Sequence, residues 1–104
     1  MTACYFHDKL GFPGCDFSDR PDGRPDPAHW IPQQRLRAAG VEDLWHPASW
    51  AHVCRRHHTL FDQKTIRLTE EQYPREFRAW AALQGFWFAG PREGWRYAKG
   101  EMTA

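Results

Sequence analysis

The chain has 104 residues, of which 41% are hydrophobic and 26% charged, and its formal net charge is +1. This length accommodates one domain at most, and the hydrophobic content argues against a disordered chain. A mean hydropathy of −0.78 and the lack of a long apolar run exclude a membrane-spanning helix, which needs about 20 apolar residues. The small net charge excludes a global basic field, although eleven arginines outnumber three lysines and arginine binds phosphate at two points.

Cysteine and histidine usage favours a bound metal over disulfides. Three cysteines cannot all pair with one another, and six histidines are numerous for this length. The first residues lack the basic start and apolar core of a secretory signal, so we expect a cytoplasmic protein, where structural disulfides are rare. Eight glycines and eight prolines leave little regular structure, and small domains of this kind usually need a metal or another staple.

The first half of the chain is predicted to be poor in regular structure. Glycine and proline punctuate residues 1–28, which predicts a loop-rich arm. Residues 29–31 resemble a short strand, and good helix formers over 33–39 predict a helix that ends at Gly40. Residues 41–53 are rich in tryptophan and are predicted to be irregular.

Regular structure is predicted to increase after Cys54. An uninterrupted run to about residue 63 predicts a short helix, and the alternation over 65–68 predicts a brief strand. Thr69 and Gln72 have the spacing of a capping box.

A longer helix is predicted over 74–84, with Gly85 as its C-terminal cap. Its apolar face consists of Phe77, Trp80, Ala81 and Leu83. The other aromatic side chains expected in the core are Phe86, Trp87 and Phe88. Residues 93–104 are predicted to form a frayed tail.

The spacing Cys54-x2-His57 is the clearest chemical signal. On a helix it places two ligands about one turn apart, so both reach one tetrahedral Zn²⁺ at about 2.0–2.3 Å. Cys4 and Cys15 are the other two cysteines, and the glycine-containing loop between them can bring their sulfurs together. His7, which follows Cys4 at the same Cys-x2-His spacing, competes with Cys15 for the fourth position.

A second signal follows directly after the first. His58 adjoins His57, but adjacent helical side chains diverge by about 100°, so His58 faces away from the zinc. Asp62 lies four residues later on the face of His58. A histidine and a carboxylate at this spacing can hold a second, more open cation. The alternative interpretation is an exposed His–Asp pair without a ligand.

Together these residues resemble the zinc-containing HNH endonucleases, most of all their small phage and actinobacterial members. The resemblance covers residues 4–68 and is carried by Cys4, Cys15, the run Ala28-His29-Trp30-Ile31-Pro32, Cys54, His57, His58 and the pair Phe61-Asp62. It implies an α+β fold: a small zinc-stapled ββα-metal domain with an additional C-terminal helix. The implied nuclease domain spans 1–88, and residues 89–104 form a C-terminal tail.

The resemblance also implies the roles of three residues. His29 falls on the general base, His58 on a ligand of the catalytic metal, and Asp62 on the helix position one turn later. The implied reaction is hydrolysis of DNA phosphodiester bonds with Mg²⁺ or Mn²⁺ as the catalytic ion. A neutral imidazole can take the proton of water near pH 7, and a divalent cation can stabilise charge on the phosphate. Small phage relatives work beside DNA-packaging proteins, which are further implied partners in the cytoplasm of a bacterial host.

Four arginines are predicted to contact DNA phosphates beside this site. They are Arg35, Arg37, Arg55 and Arg56.

The chain departs from the family pattern at three places. Ala28 stands where relatives carry a metal-ligating Asp, and Asp26 is the nearest substitute. Ser49 occupies the position of the family's middle Asn, and Cys4 and Cys15 are ten residues apart instead of two. Three side chains could replace that Asn: His46, Asp43 and His52. The departures support a second interpretation, a zinc-stapled nucleic-acid-binding or adaptor module with this fold and no cleavage activity.

Overall fold

The protein is described here by a computed structural model that covers residues 4–16 and 25–98. Its helices are α1 (Tyr5–Asp8), α2 (Gln33–Ala38), α3 (Arg55–Asp62) and α4 (Arg75–Leu83), with a 3₁₀ turn at Glu70–Gln72. Its strands are β1 (Asp26–His29), β2 (Trp50–Val53), β3 (Phe86–Phe88) and β4 (Trp95–Tyr97). β1 pairs with β2 and β3 with β4, in two small antiparallel sheets. The fold is therefore a small α+β fold, as predicted.

The chain divides into two compact units. Unit 1 comprises residues 1–28 and 51–67, and unit 2 comprises residues 29–50 and 68–104. Unit 1 contains α1, α3 and most of the β1–β2 sheet, whereas unit 2 contains α2, the 3₁₀ turn, α4 and the β3–β4 hairpin. Within the described residues, no helix has the length and apolar character needed to cross a bilayer.

The core of unit 1 is a small aromatic cluster. Phe6 of α1 is fully buried, and its ring lies 5.7 Å from the rings of Phe12 and Phe61 and 5.6 Å from that of His57. Val53 is also fully buried. Because this apolar core is so small, it leaves unit 1 dependent on an additional source of stability.

Local sequence accounts for both ends of α3. Cys54 is the N-terminal cap, and its sulfur accepts a hydrogen bond from the backbone N–H of His57. At the other end Lys64 has a φ of +62°, its N–H bonds to Phe61 O, and the N–H of Thr65 bonds to Leu60 O. These two bonds form a Schellman motif, in which glycine is the usual residue at the left-handed position.

The helix separates two sets of side chains. His57 and Phe61 are four residues apart and share the face that packs on Phe6. His58 and Asp62 are also four residues apart and share a neighbouring face, which is more exposed. One face of this short helix therefore packs into the core, and the neighbouring face carries a second, more open group of side chains.

Unit 2 has a larger aromatic core. Tyr73 contacts Trp30 and Trp95 edge-to-face at 5.6 Å in both cases, and Phe77 contacts Trp95 at 5.1 Å. Leu36 of α2 is fully buried. These contacts fix α4 against the β3–β4 hairpin, in which Phe88 lies opposite Trp95.

The strands of the first sheet differ from the sequence prediction. The strand expected over 29–31 begins earlier, at Asp26, and includes Pro27. Each strand of a two-stranded sheet has one edge without a neighbouring strand. Proline, which lacks an N–H, is tolerated at a position that faces this edge. Residues 41–53 were predicted to be irregular and contain β2, while the predicted loop arm 1–28 contains α1 and most of β1. Four-residue elements are too short for their periodicity to be recognised.

Two predictions about the second half of the chain are wrong. Residues 65–68 form no strand, and the apolar pattern there reflects the burial of Leu68. The predicted frayed tail contains β4, whose Trp95 is buried, while residues beyond 98 lie outside the described part. Pairing with β3 is what orders β4.

Two side chains assigned to the core are exposed. Leu83 is 85% exposed because it lies six positions after Phe77, well off the face formed by Phe77, Trp80 and Ala81. Trp87 is 42% exposed because it alternates with Phe86, which is buried on the other side of β3. The predicted helix itself is confirmed as α4.

Candidate functional site

Three cysteines and one histidine come together in unit 1. Cys54 caps α3, His57 lies in its first turn, Cys4 precedes α1, and Cys15 follows a loop that turns at Gly14. Their ligand atoms all lie within 4.8 Å of one another, and no disulfide joins the cysteines. These are the four predicted zinc ligands, and the group could bind a metal ion such as zinc.

The distances within this cluster suit a tetrahedral ion. His57 Nδ1 lies 3.2 Å from the sulfur of Cys54, 3.4 Å from that of Cys4 and 3.6 Å from that of Cys15. Two ligands of a tetrahedral Zn²⁺ with bonds of about 2.0 and 2.3 Å are separated by about 3.5 Å. The single lone pair or proton of Nδ1 cannot form hydrogen bonds with three sulfurs at once, so a cation shared by all four atoms explains the arrangement better than hydrogen bonds.

The loop before Cys15 fixes the tautomer of His57. Its Nε2 lies 2.9 Å from the carbonyl oxygen of Pro13, which can only accept a hydrogen bond. The proton therefore resides on Nε2, and the lone pair of Nδ1 points at the three sulfurs. Metal-ligating histidines commonly donate their second nitrogen to a carbonyl or carboxylate in this way.

Cys15 completes the cluster and His7 does not. The side chain of His7 is 62% exposed and pairs with Asp8 at 3.0 Å. Burial, followed by the neighbouring Cys4 and Cys54, raises the pKa of the Cys15 thiol to about 12. A bound cation has the opposite effect on thiols, so metal binding at this cluster must release protons.

A second group of polar side chains surrounds His58 in the same unit. Its Nδ1 lies 3.3 Å from Oδ2 of Asp26, and its Nε2 lies 3.3 Å from Oδ2 of Asp62. The Asp26 side chain is 8% exposed, whereas that of Asp62 is 64% exposed. His58 therefore lies between a buried carboxylate and one that is open to solvent.

Arg55 neutralises the buried carboxylate. Its Nε donates to Oδ2 of Asp26 at 2.6 Å, a charge-assisted hydrogen bond. The same oxygen, Oδ2, also lies 3.3 Å from Nδ1 of His58. A buried carboxylate oxygen that contacts both an arginine and an imidazole is well suited to orient that ring.

The two nitrogens of His58 are not equivalent. When the ring is neutral, one nitrogen donates to its carboxylate and the lone pair of the other faces the second carboxylate, which is unfavourable unless a cation lies between them. The Asp62 side is accessible to water, and a separation near 3 Å is what two adjacent ligands of an octahedral ion with bonds of about 2.1 Å require. The accessible side of this group is therefore the pair formed by His58 Nε2 and Asp62.

His29, the predicted general base, lies in unit 2. Its Nε2 is 2.6 Å from the carbonyl oxygen of Leu44, so this nitrogen carries the proton. Its Nδ1 is then an acceptor and lies 3.4 Å from the amide nitrogen of Gln33. An imidazole with one nitrogen held by a carbonyl and the other unprotonated is in the form that a general base requires.

Ser49 supports the carbonyl that holds His29. It is fully buried, and its hydroxyl lies 3.1 Å from Leu44 O and 2.7 Å from His46 O. Ser49, which stands at the position of the family's middle Asn, therefore holds the backbone next to His29. Because its hydroxyl is used in these two bonds, it offers no group to a metal.

The three side chains considered as replacements for that Asn are also accounted for. His46 is engaged within unit 2, where its Nδ1 accepts from Ala48 N–H and its ring stacks on Trp80. Asp43 and His52 are exposed.

The four predicted DNA-binding arginines are all exposed, but their contacts differ. Arg35 donates to the carbonyl of Trp95 and Arg55 to Asp26, so both support the fold. Arg56 donates to Gly14 O at 2.8 Å, and Arg37 lies 3.4 Å from the side-chain oxygen of Gln33.

The sequence pattern did not reveal the central position of Asp26 or the exposure of Trp45. Asp26 was considered only as a substitute for the family Asp, because its place two residues earlier in an expected loop hid its position at the start of β1. Trp45 lies in a segment without periodicity, so its exposure of 52% could not be inferred. The available signal was its position in a tryptophan-rich stretch that lacks the spacing of a core face.

Comparison with protein-family models, curated proteins and solved structures finds no match to this chain. The assignment of a function therefore depends on the residues and their geometry.

Proposed function

We propose that this chain is a zinc-stapled, divalent-metal-dependent endonuclease of the HNH type that hydrolyses phosphodiester bonds of DNA. The observation that carries the proposal is the environment of His58, with a buried carboxylate at one ring nitrogen and an exposed carboxylate at the other. Such an arrangement resembles an oriented metal ligand with a second ligand beside it and open positions for water and phosphate.

The order of elements in unit 1 supports the same proposal. β1, β2 and α3 follow one another in the chain order of a ββα-metal domain, with α2 between the strands in sequence. The zinc cluster involves the cap and first turn of α3, so the metal that stabilises unit 1 also fixes the helix that carries His58.

In this mechanism His58 Nε2 and Asp62 would hold the catalytic Mg²⁺ or Mn²⁺. Such a cation would supply positive charge to stabilise the phosphate and the leaving 3′-oxygen. Asp26 accepts from His58 Nδ1–H and keeps the ring in the ligating tautomer, while Arg55 pairs with the same carboxylate. His29 takes the proton of the attacking water at Nδ1, and Leu44 O stabilises the imidazolium that results. Arg37 and Arg56 contact flanking phosphates.

A second candidate function is a zinc-stapled DNA-binding or adaptor module without cleavage activity. Two observations favour it: Ala28 and Ser49, at positions where relatives carry polar site residues, are both buried within the fold. On this alternative the His58 cluster is a structural ion pair and the arginines alone contact the DNA.

Cleavage of supercoiled plasmid by zinc-loaded protein distinguishes the two candidates. The nuclease proposal predicts cleavage with Mg²⁺, Mn²⁺ or Ni²⁺ and a rate at least about a hundredfold lower for His29→Ala, since loss of a general base typically costs 10²–10⁴ in rate. His7→Ala, which changes an exposed histidine outside both clusters, should leave the rate unchanged. A wild-type protein that retards DNA on a gel but cuts nothing with these metals would establish the second candidate.

A further inference from the structure

Four side chains form a continuous row on unit 2. The ring of Trp45 lies 4.4 Å from that of His29, whose Nδ1 is 3.4 Å from the amide nitrogen of Gln33. The amide oxygen of Gln33 is in turn 3.4 Å from the guanidinium of Arg37. The row therefore begins with an indole, passes an imidazole and an amide, and ends with an exposed cation.

The ring contacts that Trp45 makes within unit 2 leave about half of this residue exposed. It contacts His29 and Trp50 edge-to-face, the latter at 6.1 Å, yet 52% of the residue remains accessible. The indole N–H of Trp50 also donates to the carbonyl of Trp45, so the backbone of this residue is held in place. Covering the exposed part of so large a side chain would be favourable. A ligand that stacks on this fixed, half-exposed indole would therefore gain binding free energy from it.

The composition of the row matches an unpaired nucleotide. Aromatic faces stack on bases, and a neighbouring arginine binds the phosphate; this combination is typical of sites for single-stranded nucleic acids. Within a duplex each base is already stacked on its neighbours, so the face that an indole needs is not accessible. The net charge of +1 provides little general attraction to a duplex backbone, so stacking must supply much of the affinity.

We infer that the row Trp45–His29–Gln33–Arg37 binds an unpaired nucleotide of DNA, with its base on Trp45 and a neighbouring phosphate at Arg37. The substrate is then single-stranded DNA or an unpaired segment of a duplex. This inference rests on the proposed function in one respect: a base stacked on Trp45 brings its own phosphate beside His29, the proposed general base.

The test is fluorescence anisotropy with a labelled 12-nucleotide single strand and the blunt duplex of the same sequence. Zinc-loaded full-length protein is used without added Mg²⁺ or Mn²⁺, so that neither probe is cut. We expect the wild type to prefer the single strand and Trp45→Ala to weaken that binding about 10- to 100-fold, as loss of one base-stacking contact does. Trp45→Phe should retain most of the affinity, because the smaller ring still stacks.

Trp87→Ala is the matched control, since Trp87 is a similarly exposed tryptophan of unit 2, 42% accessible, that lies on β3 and outside the row. It should bind the single strand as the wild type does. Arg37→Ala should lower affinity and reduce the salt dependence by about one phosphate contact. Equal binding by Trp45→Ala and the wild type, or an equal loss for Trp45→Ala and Trp87→Ala, would overturn the inference.

The binding and cleavage experiments distinguish a failure of this inference from a failure of the nuclease proposal. If Trp45→Ala loses the single strand but the wild type cuts no DNA with any metal, the inference stands and the nuclease proposal fails. If the wild type cuts duplex plasmid and Trp45→Ala binds both probes normally, the nuclease proposal stands and the inference is wrong.

Discussion

Two adjacent histidines of α3 have different roles because their side chains leave the helix in different directions. His57 turns into the aromatic core, donates to Pro13 O and directs Nδ1 at three sulfurs. His58 turns toward Asp26 and Asp62 on a more exposed face. Neither histidine can replace the other, since a helix separates consecutive side chains by about 100°.

The two carboxylates beside His58 should affect the affinity for the proposed catalytic metal to different degrees. Asp62→Ala removes the proposed direct ligand and should move the Mn²⁺ dependence of cleavage to higher concentrations. Asp26→Asn keeps the shape of the side chain but weakens the orientation of His58, and changes of this kind typically cost 10- to 100-fold in metal affinity. The measurement is the cleavage rate against Mn²⁺ concentration at constant zinc content.

Glu71→Gln, a change of an exposed carboxylate in unit 2, should leave that dependence unaltered. An unmoved curve for Asp62→Ala would show that the second ligand lies elsewhere.

The C-terminal ends of three helices provide a comparison at the scale of elements. Gly40 and Gly85 follow α2 and α4 with φ values of +82° and +96°, whereas α3 is followed by Lys64 at +62°. A residue with a side chain pays about 1 kcal/mol or more in this conformation, and glycine does not. α3 therefore ends with a backbone strain that the other two helices avoid.

Lys64→Gly should stabilise the zinc-loaded protein by about 1 kcal/mol, measured as the free energy of unfolding in urea. The reciprocal change, Gly40→Ala, should destabilise it by a similar amount, because alanine would have to adopt the left-handed conformation. A destabilising Lys64→Gly would mean that α3 does not end in this motif.

Helices α2, α3 and α4 could be predicted from the sequence, whereas α1 and the strands could not. Good helix formers, the capping pattern and the glycines after α2 and α4 carry local information, and α3 begins where Cys54 can act as a cap. By contrast, β1 and β2 have four residues each and β3 and β4 three, so their pairing is decided by distant partners. β4 illustrates this most clearly: nothing local distinguishes it from a tail until Phe88 meets Trp95.

The candidate site, like the fold, could be predicted from the sequence only in part. The spacing Cys54-x2-His57 and the repeat of Asp62 after His58 are local patterns, and both pairs come together in the structure. The choice of Cys15 over His7 depends on a loop that turns at Gly14, where φ is +85°. Loop closure of this kind and the exposure of Trp45 depend on tertiary structure, which spacing does not encode.

At the scale of the whole molecule, we expect the stability of unit 1 to depend on a metal bound at its Cys/His cluster, and the stability of unit 2 to depend on its aromatic core. Unit 1 buries one small cluster around Phe6, whereas unit 2 buries several aromatic side chains between α4 and its hairpin. Metal binding and folding are coupled when a domain has so small a core.

Cys54→Ser should abolish tight zinc binding and unfold unit 1. Serine can still cap α3, so a loss of structure reports the loss of the ligand and not of the cap. Circular dichroism and zinc content by mass spectrometry are the measurements. His7→Ala should retain one zinc and a normal melt, and an unchanged cooperative melt of metal-free wild type would contradict the coupling of zinc to folding.

Trp80→Ala should destabilise the protein by about 3–5 kcal/mol, because Trp80 is buried in unit 2 against His46 and Phe77. Trp87→Ala removes an exposed side chain of the same type and should cost much less. Urea denaturation of both variants measures the difference. A change below about 1 kcal/mol for Trp80→Ala would show that α4 does not contribute its buried face to the core.

The central claim is that α3 holds a tight zinc through His57 and a second, exchangeable cation through His58. Electron paramagnetic resonance of Mn²⁺, titrated into zinc-loaded protein, tests it most directly. The wild type should bind one Mn²⁺ per chain without losing zinc, and His58→Ala should bind no Mn²⁺ while keeping its zinc. A wild type that binds no Mn²⁺, or a His58→Ala variant that binds it as the wild type does, would contradict the claim.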